Sequence, residues 1–321
     1  MKKNISVLFI GTGRAARGLS SAFSAAGVKV LGLVSRRRRA VRGFRVYSAR
    51  DVAKIVKRAD IVVLAVPDGA IAKTSEGLAR RCRDVTGKVF VHLSGARESG
   101  DLFALRDKGA HTAALHPFYS FASYSAFSDQ RSACSGRREA GRFDSCLTPR
   151  ASCLALRQIP FSVEGPPEAV AVVQRLLGPY GVRAAIIGPR DKTLYHAAAV
   201  FSSNFTVGLQ TAAQAMLKEA GVGDVDARLM VSALLTSTAL NVVARGPTDA
   251  LTGPVVRRDL GTIGMHLSEL ARRAPHLVSA YATMTLVLAR GQGPKKLGKQ
   301  FVGGLHALIA RYLGEGEGLH N

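Results

Sequence analysis

The stretch ISVLFIGTGR, residues 5 to 14, constrains the fold more than any other part of this 321-residue chain. Its first six residues are almost uniformly apolar or β-branched, with no polar face to turn toward water. Such a run belongs in the interior of a parallel sheet covered on both sides. The glycines end it, and the Ala-rich RAARGLSSAFSAAG that follows has helical composition and closes on Gly27. Strand and helix patterns then alternate. VKVLGLVS, DIVVLAVPD, KVFVHLSG and AHTAALHP read as strands, and SARDVAKIVKRA, GAIAKTSEGLARRC and SGDLFALRDKG read as helices between them. Alternation of this kind predicts parallel βαβ units in a doubly wound sheet.

The rhythm fails from about residue 128 to 157. SDQRSACSGRREAGRFDSCLTPRAS has neither period and is rich in Ser, Arg and Gly, so it reads as an insertion, either disordered or a lid. IPFSVEG, a helical PPEAVAVVQRLLGPYG and VRAAIIG resume the α/β pattern. Beyond Pro189 the strand runs stop. DKTLYHAAAVFSSNFTVGLQTAAQAMLKEAG, VDARLMVSALLTSTALNVVARG and DLGTIGMHLSELARRA carry apolar residues at helical spacing only. The expected architecture is an α/β domain over residues 1–188, then an all-α domain over residues 189–321.

Composition removes several function classes. Hydrophobic residues make up 47% of the chain, which argues against global disorder. The net charge of +23 is high, but the basic residues are spread over nearly the whole length. There is no Trp, and no zinc-finger or RNA-binding signature, so nucleic acid is not the expected partner. MKKNISVLFIG resembles a signal peptide only superficially, because its apolar run is short and breaks into GTGR without a cleavage pattern. No uninterrupted apolar run approaches the roughly 18 residues of a membrane span. Cys82, Cys134, Cys146 and Cys153 fit neither a CxxC metal site nor a compact disulfide framework, and reduced thiols in a cytoplasm are expected.

Between the first strand and first helix stands Gly11-Thr12-Gly13-Arg14-Ala15-Ala16, a G-x-G-x-x-A loop in the strand-to-helix context that dinucleotide binding requires. Gly11 permits the tight turn, Gly13 lets backbone approach a pyrophosphate, and Ala16 allows close helix–strand packing. The end of the second strand then selects the cofactor. A site for NAD places a carboxylate about 20 residues on, whereas a site for NADP places a cation. Here Ser35 stands 22 residues beyond Gly13 and is followed by Arg36, Arg37, Arg38 and Arg39, with no carboxylate before Arg50. Ser35 and Arg36, joined by Arg37, are therefore expected to hold a 2′-phosphate, which makes NADP the expected cofactor of a Rossmann-type domain. Val66 and Pro67, at the end of the third of these strands, and Ser94 and Gly95, at the end of the next, are placed to meet the same cofactor.

LHPFYSF after a strand, DKTLYHAAAVFSSNF at the helical boundary and LTGPVVRRDLGTIGMHL further on occur in this order. Together they resemble Rossmann-like proteins that carry a C-terminal domain of unknown function, a family adjoining ketopantoate reductase and 6-phosphogluconate dehydrogenase-like oxidoreductases. The resemblance covers most of the chain outside the segment near 128–157. It implies a cytoplasmic, homodimeric oxidoreductase acting on a small anionic metabolite, with the helical domain completing the protein.

Reduction of a carbonyl by hydride leaves an alkoxide, which needs a proton donor and positive charge nearby. Lys192 and His196 are four apart on one predicted helix and so share a face, with Ser203 and Asn204 near that face two turns on. Lys192 is read either as a proton donor or as a first-turn surface lysine, and His196 either as an orienting group or as packing. The related dehydrogenases carry Asn four residues after the Lys, where this chain has His196. His116 ends a strand in LHP, where it either contacts substrate or caps a loop; a similar His-Pro occurs in prephenate dehydrogenases. Thr252, Gly253 and Arg257 are further candidates for a substrate carboxylate, while Asp259 and His266 read as helix-bridging groups. A non-catalytic protein that senses NADP is the reading from another class.

Overall fold

The computed structural model of the protein describes residues 5–36, 40–121 and 156–313. Nearly all of the segment read as an insertion lies outside these residues, as do Arg37, Arg38 and Arg39. Contacts divide the chain into two compact units, residues 1–203 and 204–321, so the helix bearing Lys192 and His196 belongs to the first.

The first unit is built on an eight-stranded sheet of order β3-β2-β1-β4-β5-β6-β7-β8. Its strands are β1 Ser6–Ile10, β2 Lys29–Ser35, β3 Val46–Ser48, β4 Ile61–Leu64, β5 Val89–His92, β6 His111–Pro117, β7 Phe161–Glu164 and β8 Ala184–Ile186. Strands β1 to β6 are parallel, and the order reverses between β1 and β4, the point at which ligands of an open sheet bind. β1 is buried at every position, as its sequence requires. Val7 and Phe9 face one core, with α1 (Arg14–Ala25) and α5 (Pro167–Leu177). Leu8 and Ile10 face the other, with α2 (Val52–Val56), α3 (Ile71–Arg81) and α4 (Phe103–Arg106). In α1, Ala16, Leu19 and Phe23 fall on the sheet side at spacings of three and four. Phe23 meets Phe9 edge-on with 5.9 Å between ring centres, and a buried ring of this kind contributes about 1.5–3 kcal/mol.

The structure corrects two expectations. The sheet is not parallel throughout, because β7 runs antiparallel to β6, with His116 opposite Ser162 and Ala114 opposite Glu164. Antiparallel neighbours need no crossover helix, and the 3₁₀ turn Leu156–Gln158 alone precedes β7 among the described residues. Second, the pattern SARDVAKIVKRA, read as one helix, yields only the five-residue α2 beginning at Val52. The chain just before it pairs as β3 on the sheet edge, a strand of three residues and too short to show alternation.

One further contact concerns the chain beyond β6. Gly18 of α1 leaves a seat for the Phe121 ring, since a Cβ there would lie 2.4 Å from Phe121 Cδ1. Leu156 and Ile159, where description resumes, are buried in the same core as α1.

The second unit is helical throughout its described residues: α7 Thr206–Glu219, α8 Asp224–Arg245, α9 Pro247–Ala250, α10 Leu260–Arg273, α11 Val278–Gln292, α12 Pro294–Leu297 and α13 Lys299–Leu313, with α6 (Lys192–Val200) preceding them in the first unit. Its core is formed mainly by α10, α11 and α13 around Ile263, Leu267, Ala282, Leu286 and Leu305. Asp259 caps α10 by accepting the Thr262 N–H at 2.9 Å, and His266 bonds the Tyr281 hydroxyl at 2.7 Å, bridging α10 and α11. By contrast, α8 buries only Ala227 and Val231 and exposes Leu229, Leu234, Leu240 and Val243. It is the one helix among the described residues that is long and apolar enough to cross a membrane by length and composition.

Candidate active site

The glycine loop lies at the reversal point of the sheet. Gly11 adopts φ +120°, and a Cβ there would sit 2.2 Å from the Ala65 carbonyl oxygen, so no other residue fits. Its N–H donates to Val34 O at 2.9 Å, while the Ala65 N–H donates to Ile10 O at 2.9 Å, wedging the turn between the ends of β2 and β4. Gly13 is different: nothing lies within 4 Å of its ideal Cβ, which leaves its surface open to a ligand. Gly13 is also the N-cap of α1, where no side chain caps the helix and the first turn holds no acidic residue. The positive end of the helix dipole is thus left for an anion. The Thr12 hydroxyl donates to Ser35 Oγ at 3.4 Å, joining the loop to the end of β2, and Arg17 Nε donates to Thr12 O at 3.0 Å. Arg14 and Arg36 are exposed beside the loop and after β2, and Ala16 is fully buried under it. Val66 and Pro67 follow β4 on the other side of the reversal point. This cradle fits a pyrophosphate with an additional phosphate at the Ser35–Arg36 end.

A second cluster forms beyond β5. His92, the last residue of β5, is fully buried, and both ring nitrogens bind the loop that follows. The Ser94 N–H donates to Nδ1 at 3.2 Å, which leaves Nε2–H to donate to Glu98 O at 3.0 Å. Burial, reinforced by the Lys192 charge, pulls its pKa from the usual 6.5 to about 4, so the ring is neutral. The Ser94 hydroxyl accepts from the Ala96 and Arg97 N–H groups at 3.2 and 3.0 Å and donates to Asp68 Oδ2 at 2.8 Å. Ser94 therefore fastens the loop, and Gly95 is what the loop offers to a ligand. A Cβ on Gly95 would lie 2.7 Å from His196 Cδ2 and 3.0 Å from His116 Nε2. Two imidazoles, one from the end of β6 and one from α6, thus close over a glycine backbone, with 6.2 Å between their ring centres.

Lys192 is the first residue of α6, the end of a helix that disfavours a cation, and only 2% of it is exposed. It is not a surface lysine. Its Nζ stands 3.9 Å from Glu164 Oε2 of β7. The Glu164 carboxylate is itself buried and accepts from the Ser99 N–H and hydroxyl, each at 2.8 Å. Burial lowers the Lys192 pKa from its usual 10.5, opposed by the charges of Glu164, Glu98 and Asp68.

The helical spacing of Lys192 and His196 is realised, and His116 joins them. Asn204 begins the second unit, Thr252, Gly253 and Arg257 lie further along it, and Arg37 lies outside the described residues. Sequence reasoning missed Tyr195, whose hydroxyl is 2.8 Å from His116 Nδ1, and also Glu164, Ser162 and Asp68. The signal for Tyr195 was present, since it stands three residues after Lys192 on the same helix face. Among the described residues no group of three or more His, Cys, Asp or Glu could hold a metal ion.

The fold and site define a nucleotide-binding α/β unit followed by a helical one, an architecture shared with NADP oxidoreductases. Residues 1–117 match the Rossmann-like domain, and residues 159–287 match a domain of unknown function, DUF2520. The chain thus carries a Rossmann-like domain followed by a domain of the DUF2520 type. Among solved structures it resembles a Bacteroides fragilis protein described as an NADP oxidoreductase, with 21% identity and a TM-score of 0.64 over 89% of this chain and 98% of the other. A Thermotoga maritima protein is also 21% identical, with a TM-score of 0.63 over 90% and 99% of the two chains. Pyrroline carboxylate reductase from Plasmodium falciparum, solved with NADP bound, is 11% identical with a TM-score of 0.54 over 96% and 97%. These likenesses are of fold. No curated protein matches the chain.

Proposed function

We propose that the protein is a cytoplasmic NADP-dependent reductase of a small anionic carbonyl compound, a 2-oxo acid resembling ketopantoate. The observation that carries this reading is a buried ammonium, Lys192, in the same compact unit as two imidazoles closing over Gly95 and a glycine loop shaped for a dinucleotide. When bound, NADPH supplies the hydride. Lys192 stabilises the negative charge that develops on the carbonyl oxygen and gives that oxygen its proton, and its lowered pKa makes the transfer easier. His116 and His196 orient the carbonyl, and the loop Gly11–Gly13 with Ser35 and Arg36 holds the cofactor phosphates.

The test is loss of NADPH absorbance with a panel of 2-oxo acids, each offered with and without ammonia. Oxidation without ammonia is the expected result. Oxidation only with ammonia would identify a C=N substrate, the bond implied by the names of pyrroline carboxylate reductase and of a reductive aminase from Aspergillus terreus that shares the fold. Tight NADPH binding without turnover on any compound would favour a sensor of NADP.

Cofactor choice follows from Ser35 and Arg36. A charge-assisted hydrogen bond contributes roughly 1.5–3 kcal/mol, so Arg36→Ala should weaken NADPH about ten- to a hundredfold and leave NADH nearly unchanged. Titration of both cofactors by fluorescence checks this, and equal affinity of the unaltered protein for the two would refute the assignment.

The exposed apolar residues of α8 support a homodimer, because a helix that leaves this many large apolar side chains in water gains by covering them. Light scattering during gel filtration should give twice the chain mass. A monomeric mass, or partition of the chain into membranes, would count against the dimer.

A further inference from the structure

We infer that Tyr195 and Ser162 are positioning residues that hold His116 in the tautomer protonated on Nε2, so that a neutral imidazole presents an N–H donor over Gly95. The inference rests on reading this cluster as a reductase site, and its main test does not.

Three placements carry it. The antiparallel register of β6 and β7 sets His116 directly opposite Ser162, and residues so paired stand on one face of the sheet. α6 brings the Tyr195 hydroxyl 2.8 Å from His116 Nδ1, with the rings perpendicular and their centres 5.5 Å apart. The Ser162 side chain stands beside the Tyr195 hydroxyl and favours its charged form, against the burial that disfavours it. Each hydroxyl has one proton to give, so Tyr195 either donates to His116 Nδ1 or accepts from it. A phenol is a stronger acid than a neutral imidazole N–H, so the better bond runs from Tyr195 Oη–H into the Nδ1 lone pair. Ser162, which eases ionisation of the phenol, then stands on the donor side of its oxygen. With Nδ1 occupied as an acceptor, the single proton of the neutral ring resides on Nε2.

That nitrogen faces the right place. The Nε2 atom lies 3.0 Å from where a Gly95 Cβ would stand, beyond the carboxyl end of β5, where open α/β sheets bind ligands. The neutral state has independent support. Burial holds the His116 pKa down at about 4, the nearby His196, Lys192 and His92 push the same way, and Asp68 alone opposes them. A neutral N–H donor polarises an acceptor that has a lone pair, a carbonyl oxygen or an unprotonated imine nitrogen. It has nothing to offer a protonated imine. The ring donates a hydrogen bond without giving up its proton, which leaves proton delivery to Lys192.

The experiment is a two-bond proton–nitrogen correlation spectrum of the full chain labelled with ¹⁵N-histidine, the His116 ring being assigned by its loss in His116→Gln. The unaltered protein should show His116 as the Nε2–H tautomer from pH 5.5 to 8 without a titration step. In Tyr195→Phe, which keeps the ring packing but removes the donor, the Nδ1 resonance should move toward that of an unbonded nitrogen and an Nδ1–H population should appear. Ser162→Ala should shift the same resonance less. An Nδ1–H tautomer or an imidazolium at pH 7 in the unaltered protein overturns the proposal, and so does an Nδ1 resonance that Tyr195→Phe leaves in place. With a substrate found by screening, Tyr195→Phe should also lower kcat roughly tenfold at unchanged NADPH affinity, the loss expected of one hydrogen bond. The ring spectrum decides the tautomer whether or not turnover is found. An intact spectrum without turnover tells against the reductase reading alone.

Discussion

Lys192→Met should lower kcat by about 10²–10⁴, the range for a positioned proton donor, while NADPH affinity stays within twofold or so. Methionine keeps an unbranched stem, one atom shorter, and removes the ammonium with its charge and its donors. The same change has a second effect that must be separated from the first. Lys192 is paired with buried Glu164 at 3.9 Å, and removing one partner of a buried ion pair costs about 3–5 kcal/mol. Here the cost should fall at or below the lower end, because Ser99 still donates two hydrogen bonds to the carboxylate. Adding Glu164→Gln removes the stranded charge, so the double variant should regain much of the stability and none of the turnover. Urea unfolding and steady-state kinetics on the same samples check both parts. Recovery of activity in the double variant would show that Lys192 serves the fold and not the chemistry. The pH profile gives an independent reading: burial depresses the Lys192 pKa, so turnover should fail on the alkaline side below the usual lysine value of 10.5.

Gly95→Ala tests the other half of the site and should cost about 10²-fold in kcat with little loss of stability. The backbone at Gly95 needs no left-handed conformation, so alanine is tolerated locally. The added methyl group, however, would stand 2.7 Å from His196 Cδ2, closer than real contacts come, and 3.0 Å from His116 Nε2, tighter than most. The His196 ring must shift and the His116 ring must give, and misplacement at a reacting centre costs up to about two orders of magnitude. A thermal melt close to that of the unaltered protein, together with the kinetic loss, is the expected pair of results. Unchanged turnover would mean that nothing reactive occupies the space over Gly95.

These predictions depend on features that differ in how far the chain alone reveals them. The glycine loop was legible because its chemistry is local: six consecutive residues and the composition on either side of them define it. The Lys192–His196 face was legible from spacing, and Tyr195 could have been added by the same rule. What hid it was composition, since a tyrosine in an apolar helix reads as packing until its hydroxyl is given a partner. That partner, His116, is 79 residues away and arrives through the sheet. Glu164 and Ser162 were hidden for a related reason. They lie on a strand read as part of a parallel sheet, and only the antiparallel register of β7 against β6 sets Ser162 beside His116. Burial of Lys192 was equally out of reach, because a lysine in the first turn of a helix is ordinarily wet.

The seat that Gly18 makes for Phe121 has a bearing on how this fold can change. The chain leaves β6 and rests against α1 at Phe121, and where description resumes, Leu156 is buried in the core that α1 helps form. Departure and return are thus both fixed at one helix. Lengthening a tether between two fixed points is cheap, about 0.6 kcal/mol for each doubling. Two anchors on one helix, Phe121 and Leu156, therefore let homologous chains differ in the length joining them at little cost to the helix that carries the nucleotide loop.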